Sequence, residues 1–186
     1  MDTWYALHRD VRMHLSRRLN KGWARPDRIS LNLTLRCNLT CSMCTTCYDA
    51  PELSLDEIKS IIDQTSEWGV EVFNPLGGEP FMRSDLEEIL LYAVSKGFYV
   101  TITTNGTLIS KGRARMLARI PSDRLHLNIS LDGNRDSNDA IRGDGMYDKA
   151  IRGYTAIREA DAEAGNSKRK MLVNSILHRQ NVEHYI

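Results

Sequence analysis

The chain has 186 residues, 41% of them hydrophobic and 26% charged, which is enough for one domain with a substantial core. With a formal net charge of +1, nothing in the balance argues for nucleic acid, an acidic polymer or a membrane surface as partner. No apolar run is long enough to span a bilayer. The opening "MDTWYALHRDVRMHLSRRLNKG" lacks the apolar stretch and cleavage site of a secretory signal, so the expected location is the cytoplasm.

Residues 3–20 predict a basic amphipathic helix. Trp4, Leu7, Val11, Leu15 and Leu19 lie near one face, which is expected to pack on the body of the domain. "WARPD" reads as a linker, which makes 1–28 a helical extension and 29–186 the core. "RISLNLTLRC" alternates Ile29, Leu31, Leu33 and Leu35 as a strand. "LSLDEIKSIIDQTSEWG" predicts a helix with a capping box at Ser54 and Glu57, an apolar face of Leu55, Ile58, Ile61, Ile62 and Trp68, and a stop at Gly69. "VEVFNPL" is a second strand. "SDLEEILLYAVSKG" is a second helix, with a capping box expected at Ser84 and Glu87 and a stop at Gly97. "FYVTITTN" is a third strand, and a short helix follows over about 110–119. "RLHLNISL" is a fourth strand, about 147–164 a longer helix, "KMLVNSILH" a fifth strand, and "NVEHYI" the beginning of another helix.

Strands alternating with helices imply a parallel sheet with right-handed crossovers. A barrel or partly open barrel fits best, and a doubly wound sheet stays open as the other arrangement. The chain stops as a helix begins, so the expectation is five βα units with a truncated C-terminal end.

All four cysteines fall within "CNLTCSMCTTC", directly after the first strand. That places them in the first βα loop, at the end of the strands where parallel α/β architectures build sites. Clustered thiols in a reducing compartment favour metal over a disulfide framework. Thiolates select zinc or iron–sulfur clusters. Cys37-x3-Cys41-x2-Cys44 offers three close ligands with no second pair and no His in the loop. Such a set suits a [4Fe-4S] cluster with one iron left open. A zinc module using Cys37, Cys41, Cys44 and Cys47 is the competing reading, because Cys44-x2-Cys47 is a plausible pair spacing. The five scattered histidines have no partner at metal-ligand spacing, and His126 reads as structural.

This triplet resembles the signature of the radical S-adenosylmethionine (SAM) enzymes, and further segments match that family in order. "PLGGEP" resembles its Gly-Gly-Glu-Pro motif at Gly77, Gly78, Glu79 and Pro80. "TTNG" resembles its Thr-Asn-Gly stretch at Thr104 and Asn105, and "SLDG" its polar positions at Ser130 and Asp132. The resemblance implies that Cys37, Cys41 and Cys44 hold the cluster. It implies that the Gly-Gly-Glu-Pro backbone and Glu79 receive the SAM ammonium. It also implies that Ser130, Asp132 and Arg142 serve the SAM carboxylate or ribose, that Met43 packs against the adenine, and that Asn174 is an inward polar residue of the fifth strand. Cys47 has no place in the triplet and is taken as a spare thiol.

The activity implied is reductive cleavage of SAM to a 5′-deoxyadenosyl radical, which takes hydrogen from a peptide, protein or cofactor precursor. The implied electron source is a reductant such as flavodoxin or ferredoxin. The resemblance covers about residue 29 to the C-terminus. A chain lacking the substrate-binding end would hold the cluster without turning over.

Overall fold

The computed structural model describes residues 3–20, 22, 25–45, 50–166, 168–177, 179 and 181–184. Five strands, β1 (Arg28–Thr34), β2 (Val72–Gly77), β3 (Tyr99–Thr104), β4 (Leu125–Ser130) and β5 (Met171–Asn174), form one sheet in the order β1-β2-β3-β4-β5, with every neighbouring pair parallel. A doubly wound sheet reverses its strand order at a switch point. This one never does, so the doubly wound alternative falls and an open partial barrel stands.

Helices fill the crossovers: α2 (Leu55–Glu67), α3 (Leu86–Ser95), α4 (Lys111–Ala118), then α5 (Arg135–Arg142) and α6 (Met146–Glu163) in succession. Phe73, Val100, Ile102, Leu125, Leu127 and Ile129 project from alternate strand positions into one core with Ile58 and Ile62 of α2, Ile89 and Leu90 of α3, Leu117 of α4 and Ile157 of α6. Each such side chain contributes about 1.5–3 kcal/mol by leaving water. The intervening positions, Asn74, Thr101, Thr103, His126, Asn128 and Ser130, are polar and only partly buried. The sheet therefore has one apolar, helix-covered face and one polar face. His126, half-buried among the strands, has its imidazole pKa pushed down by burial and by the charges of Lys170 and Arg169.

The local signals held where their partners were local. Ser54 caps α2 in a complete box with Glu57, and Gly69 at φ 78° ends it. Ser110 caps α4. Five expectations need correction. The box at Ser84 and Glu87 does not form; α3 begins after Asp85 with no side-chain cap, because Asp85 is held by Arg83 and Glu87 reaches Arg119. Trp68 ends α2 with 59% exposure instead of joining its apolar face, since at the C-cap the helical turn no longer carries it inward.

The other three concern whole elements. Of the face expected on the leading helix α1 (Thr3–Leu19), Val11, Leu15 and Leu19 are exposed and do not pack on the body, while the side chains of Trp4 and Leu7 lie outside the described ones. Helix α5 was not anticipated; it is eight residues long, mostly polar, and capped by Asn134. Strand β5 is four residues long and exposes Leu172 and Val173, the latter at 58%, because no helix covers this edge among the described residues.

Candidate functional site

The C-terminal ends of β1 to β4 converge on one cavity, and its construction starts with two glycines. A Cβ on Gly77, at φ 149°, would stand 2.1 Å from the Thr34 carbonyl oxygen, and one on Gly78 would stand 2.3 Å from that of Arg36. Only glycine permits this contact. It lets Gly78 N–H donate to Thr34 O and Glu79 N–H to Arg36 O, both at 2.9 Å. The close approach that the two glycines allow is therefore to the chain's own backbone, and it presses the "GGEP" segment against the root of the cysteine loop.

An ionic lattice braces the same corner. Glu52 accepts from Arg36 Nε at 2.7 Å and from the Thr34 hydroxyl. The Arg36 guanidinium holds the Glu52 carboxyl below the usual carboxylate range. Buried Arg83 donates to the carbonyls of Leu33 and Leu53, each at 2.9 Å, and clamps Asp85. Sequence reading missed Arg36, Glu52, Arg83 and Asp85. Their partners lie up to 50 residues away, and no local period marks them.

The cavity encloses about 190 Å³. Complete small-molecule sites run to roughly 300–1,000 Å³, so a cofactor seated here would extend beyond it. Of the predicted site residues, Cys37, Cys41, Cys44 and Met43 line it from the first loop. Gly77, Gly78, Thr104, Asn105, Ser130 and Arg142 line it from the ends of the following strands and from α5. Four are not on its wall. Pro80 is buried in the turn beside it. Glu79 lies beneath the floor, 1% exposed, accepting from Thr104 Oγ1 and Asn105 N at 2.7 Å and from Phe81 N at 3.1 Å. Burial pushes its carboxyl pKa up, against the pull of those hydrogen bonds. Asp132 is fully buried behind Arg142, accepting from its Nε at 2.7 Å and from Ile176 N at 2.9 Å. Asn174 is exposed at the end of β5, away from the cavity wall.

The unanticipated α5 positions both Arg142 and the cysteine loop. It delivers Arg142 to the cavity, and its Ile141 carbonyl accepts from Ser42 N at 2.9 Å. Burial pushes the Cys41 thiol pKa up, Arg142 opposes that rise, and Cys37 and Cys44 add to it. Among the described residues, no three His, Cys, Asp or Glu side chains converge closely enough for a single metal ion. Three thiols spread around one cavity instead fit a cluster in which each thiolate takes a different iron. Cys47, which the zinc reading requires, lies outside the described residues.

The family model described as the radical SAM superfamily matches residues 31–183. The chain belongs to the radical SAM superfamily. Members of this family use a [4Fe-4S] cluster and SAM. The chain is 40% identical to Fe-coproporphyrin III synthase of Methanosarcina barkeri over 72% of its own length and 34% of that protein's. It is 36% identical to mycofactocin maturase MftC of Mycolicibacterium smegmatis over 91% of its length and 42% of that protein's. Among solved structures, SuiB of Streptococcus suis bound to S-adenosylmethionine superposes over the whole chain and 42% of its own, with TM-score 0.75 and 22% identity, which shows a shared fold. This radical SAM chain thus spans less than half the length of these relatives. Among its described residues, no helix is long and apolar enough to cross a membrane.

Proposed function

We propose that this chain is the cofactor-binding part of a radical SAM enzyme that modifies a peptide. The observation that carries the reading is the meeting of Cys37, Cys41 and Cys44 with Gly77, Gly78 and Arg142 around one cavity at the ends of parallel strands. When bound there, a [4Fe-4S] cluster and SAM supply the reductive cleavage that makes a 5′-deoxyadenosyl radical for hydrogen abstraction.

The chain's own groups bind, orient and shield. Cys37, Cys41 and Cys44 hold the metal. Arg142, held in place by Asp132, offers its guanidinium to a carboxylate. The backbone of Gly77 and Gly78 and the polar groups of Ser130 receive the amino and ribose portions, over a floor that includes Thr104. Met43 packs on the adenine. Leu39 and Leu76 keep the wall apolar and water out. Glu79 acts from below, fixing Thr104 and Asn105.

The peptide assignment draws on similarity to mycofactocin maturase MftC over 91% of the chain and on the fold shared with SuiB, whose structure is known bound to the precursor peptide SuiA. A porphyrin precursor is the second reading, favoured by the 40% identity to Fe-coproporphyrin III synthase. A small electron carrier such as flavodoxin or ferredoxin is the proposed reductant, and the cytoplasm the proposed location.

The test is anaerobic reconstitution with iron and sulfide, followed by SAM and dithionite. Formation of 5′-deoxyadenosine is expected, with a change in the cluster's electron paramagnetic resonance (EPR) spectrum on adding SAM. A cluster-loaded protein that shows neither overturns the proposal.

A further inference from the structure

The three thiols sit in unlike surroundings. Cys44 is exposed, and Cys41 lies in the field of Arg142. Cys37 instead faces amide hydrogens: Leu39 N–H donates to its sulfur at 3.4 Å, and Asn105 Nδ2 approaches it at 3.9 Å, long but within reach for a sulfur acceptor.

The Asn105 amide is held by a closed ring of side chains from two loops. Asn105 Nδ2 donates to Asn38 Oδ1 at 3.0 Å, Asn38 Nδ2 donates to Thr107 Oγ1 at 2.8 Å, and Thr107 Oγ1 donates to Asn105 Oδ1 at 2.7 Å. The direction around this ring is decided by a fourth bond. Thr107 N–H donates to Asn105 Oδ1 at 2.9 Å. A backbone N–H only donates, so the atom facing it is oxygen, and the amide nitrogen must face Asn38 and Cys37. One of its hydrogens serves Asn38 and the other is left for the sulfur. The main chain is equally constrained, because Asn105 N–H is held by Glu79 at 2.7 Å, and Asn105 itself is 6% exposed.

We propose that Asn105 is a positioning and tuning residue for the cluster: clamped by Asn38 and Thr107, its side-chain amide holds an N–H against the Cys37 sulfur and raises the cluster's reduction potential. The physical reason is electrostatic. Reduction adds negative charge that spreads onto the thiolates. A fixed N–H dipole with its positive end at the sulfur stabilises the reduced form more than the oxidised one. Because Asn105 itself is buried, solvent averages this effect less than at an exposed amide. The inference rests on the cluster assignment made above.

Two measurements test it on the reconstituted chain. EPR-monitored redox titration of Asn105→Leu, Asn38→Ala and the unaltered protein separates tuning from mere bracing. Asn105→Leu removes the N–H and is expected to lower the midpoint potential. Asn38→Ala breaks the same ring but keeps the Asn105 amide, and is expected to leave the potential nearer that of the unaltered protein. Equal shifts in both variants, or none in Asn105→Leu, overturn the proposal.

The second measurement needs no variant. Protein made with asparagine carrying 15N only in its side-chain amide should show a 15N coupling to the reduced cluster in pulsed EPR, and absence of that coupling overturns the proposal. A protein that takes up iron and sulfide yet gives no [4Fe-4S] signal sinks the cluster assignment and this inference together. A protein with a normal cluster and an unmoved potential sinks the inference alone.

Discussion

Two aspartate–arginine pairs lie at opposite ends of the sheet, and their guanidiniums are saturated to different degrees. Asp161 and Arg169 sit below the N-terminal ends of β4 and β5. Arg169 Nε contacts both Asp161 oxygens, at 2.9 and 2.8 Å, and its remaining nitrogens donate to the carbonyls of Leu117, Ile120 and Leu125. Asp132 and Arg142 sit at the C-terminal ends. There only Nε of Arg142 bonds the aspartate, at 2.7 Å, while the arginine lines the cavity with 10% of its side chain exposed, against 0% for Arg169. A guanidinium whose three nitrogens all donate to its own fold, with none of its side chain exposed, is not available to a ligand. One that touches its carboxylate through a single nitrogen and opens onto a cavity is placed to receive one. In the proposed site, it is the degree of donor saturation, more than burial, that marks which arginine can serve a ligand.

The largest effect expected is on the saturated pair. Arg169→Leu leaves a buried carboxylate and three carbonyls without their donor, and should cost about 3–5 kcal/mol in urea unfolding. The open pair should respond in the opposite sense. Arg142→Lys keeps the charge beside Asp132 but loses the planar fork, so unfolding should change little. SAM affinity of the reconstituted protein should fall about tenfold by calorimetry, about 1.4 kcal/mol. If Arg142→Lys proves as destabilising as Arg169→Leu, the distinction fails.

Glu79 extends the contrast to a buried acid with no cation bonded to it. Burial raises its folded pKa above the unfolded value. The unfolded chain therefore releases this proton first as pH rises. The stability linked to it is complete below the ordinary carboxylate range and is lost as pH rises through the raised folded pKa. Melting temperature followed against pH should show this decline in the unaltered protein. Glu79→Gln should flatten it, and an unchanged slope would show that Glu79 is not the group responsible.

The smallest effects compare bonds formed and unformed at two helix starts. Ser54→Ala should cost about 1 kcal/mol. Ser84→Ala, whose hydroxyl caps nothing, should stay within about 0.5 kcal/mol. Equal losses would mean that the Ser84 box forms in solution.

What was legible follows from range. Strand alternation at Leu125, Leu127 and Ile129, the Ser54–Glu57 box and the stop at Gly69 depend on neighbours a few residues away, and the structure has all of them. The cysteine spacing and the glycine pair were equally visible. The polar helix α5 was not, because its eight residues carry little apolar period, and it proved to be the element that brings Arg142 and the cysteine loop together.

The sequence by itself determined the alternation of strands and helices, the parallel sheet and the presence of three thiols in its first loop, since these depend on side-chain period, caps and spacing along a few residues. Only the tertiary structure decided that Gly77 and Gly78 serve contact with Thr34 and Arg36, that Glu79 supports the floor from beneath, that Asn105 faces Cys37, and that Arg142, not Arg169, opens onto the cavity. Those outcomes hang on hydrogen bonds between loops up to 69 residues apart, as between Asn38 and Thr107, and a donor's partner at that distance is chosen by how the strands line up.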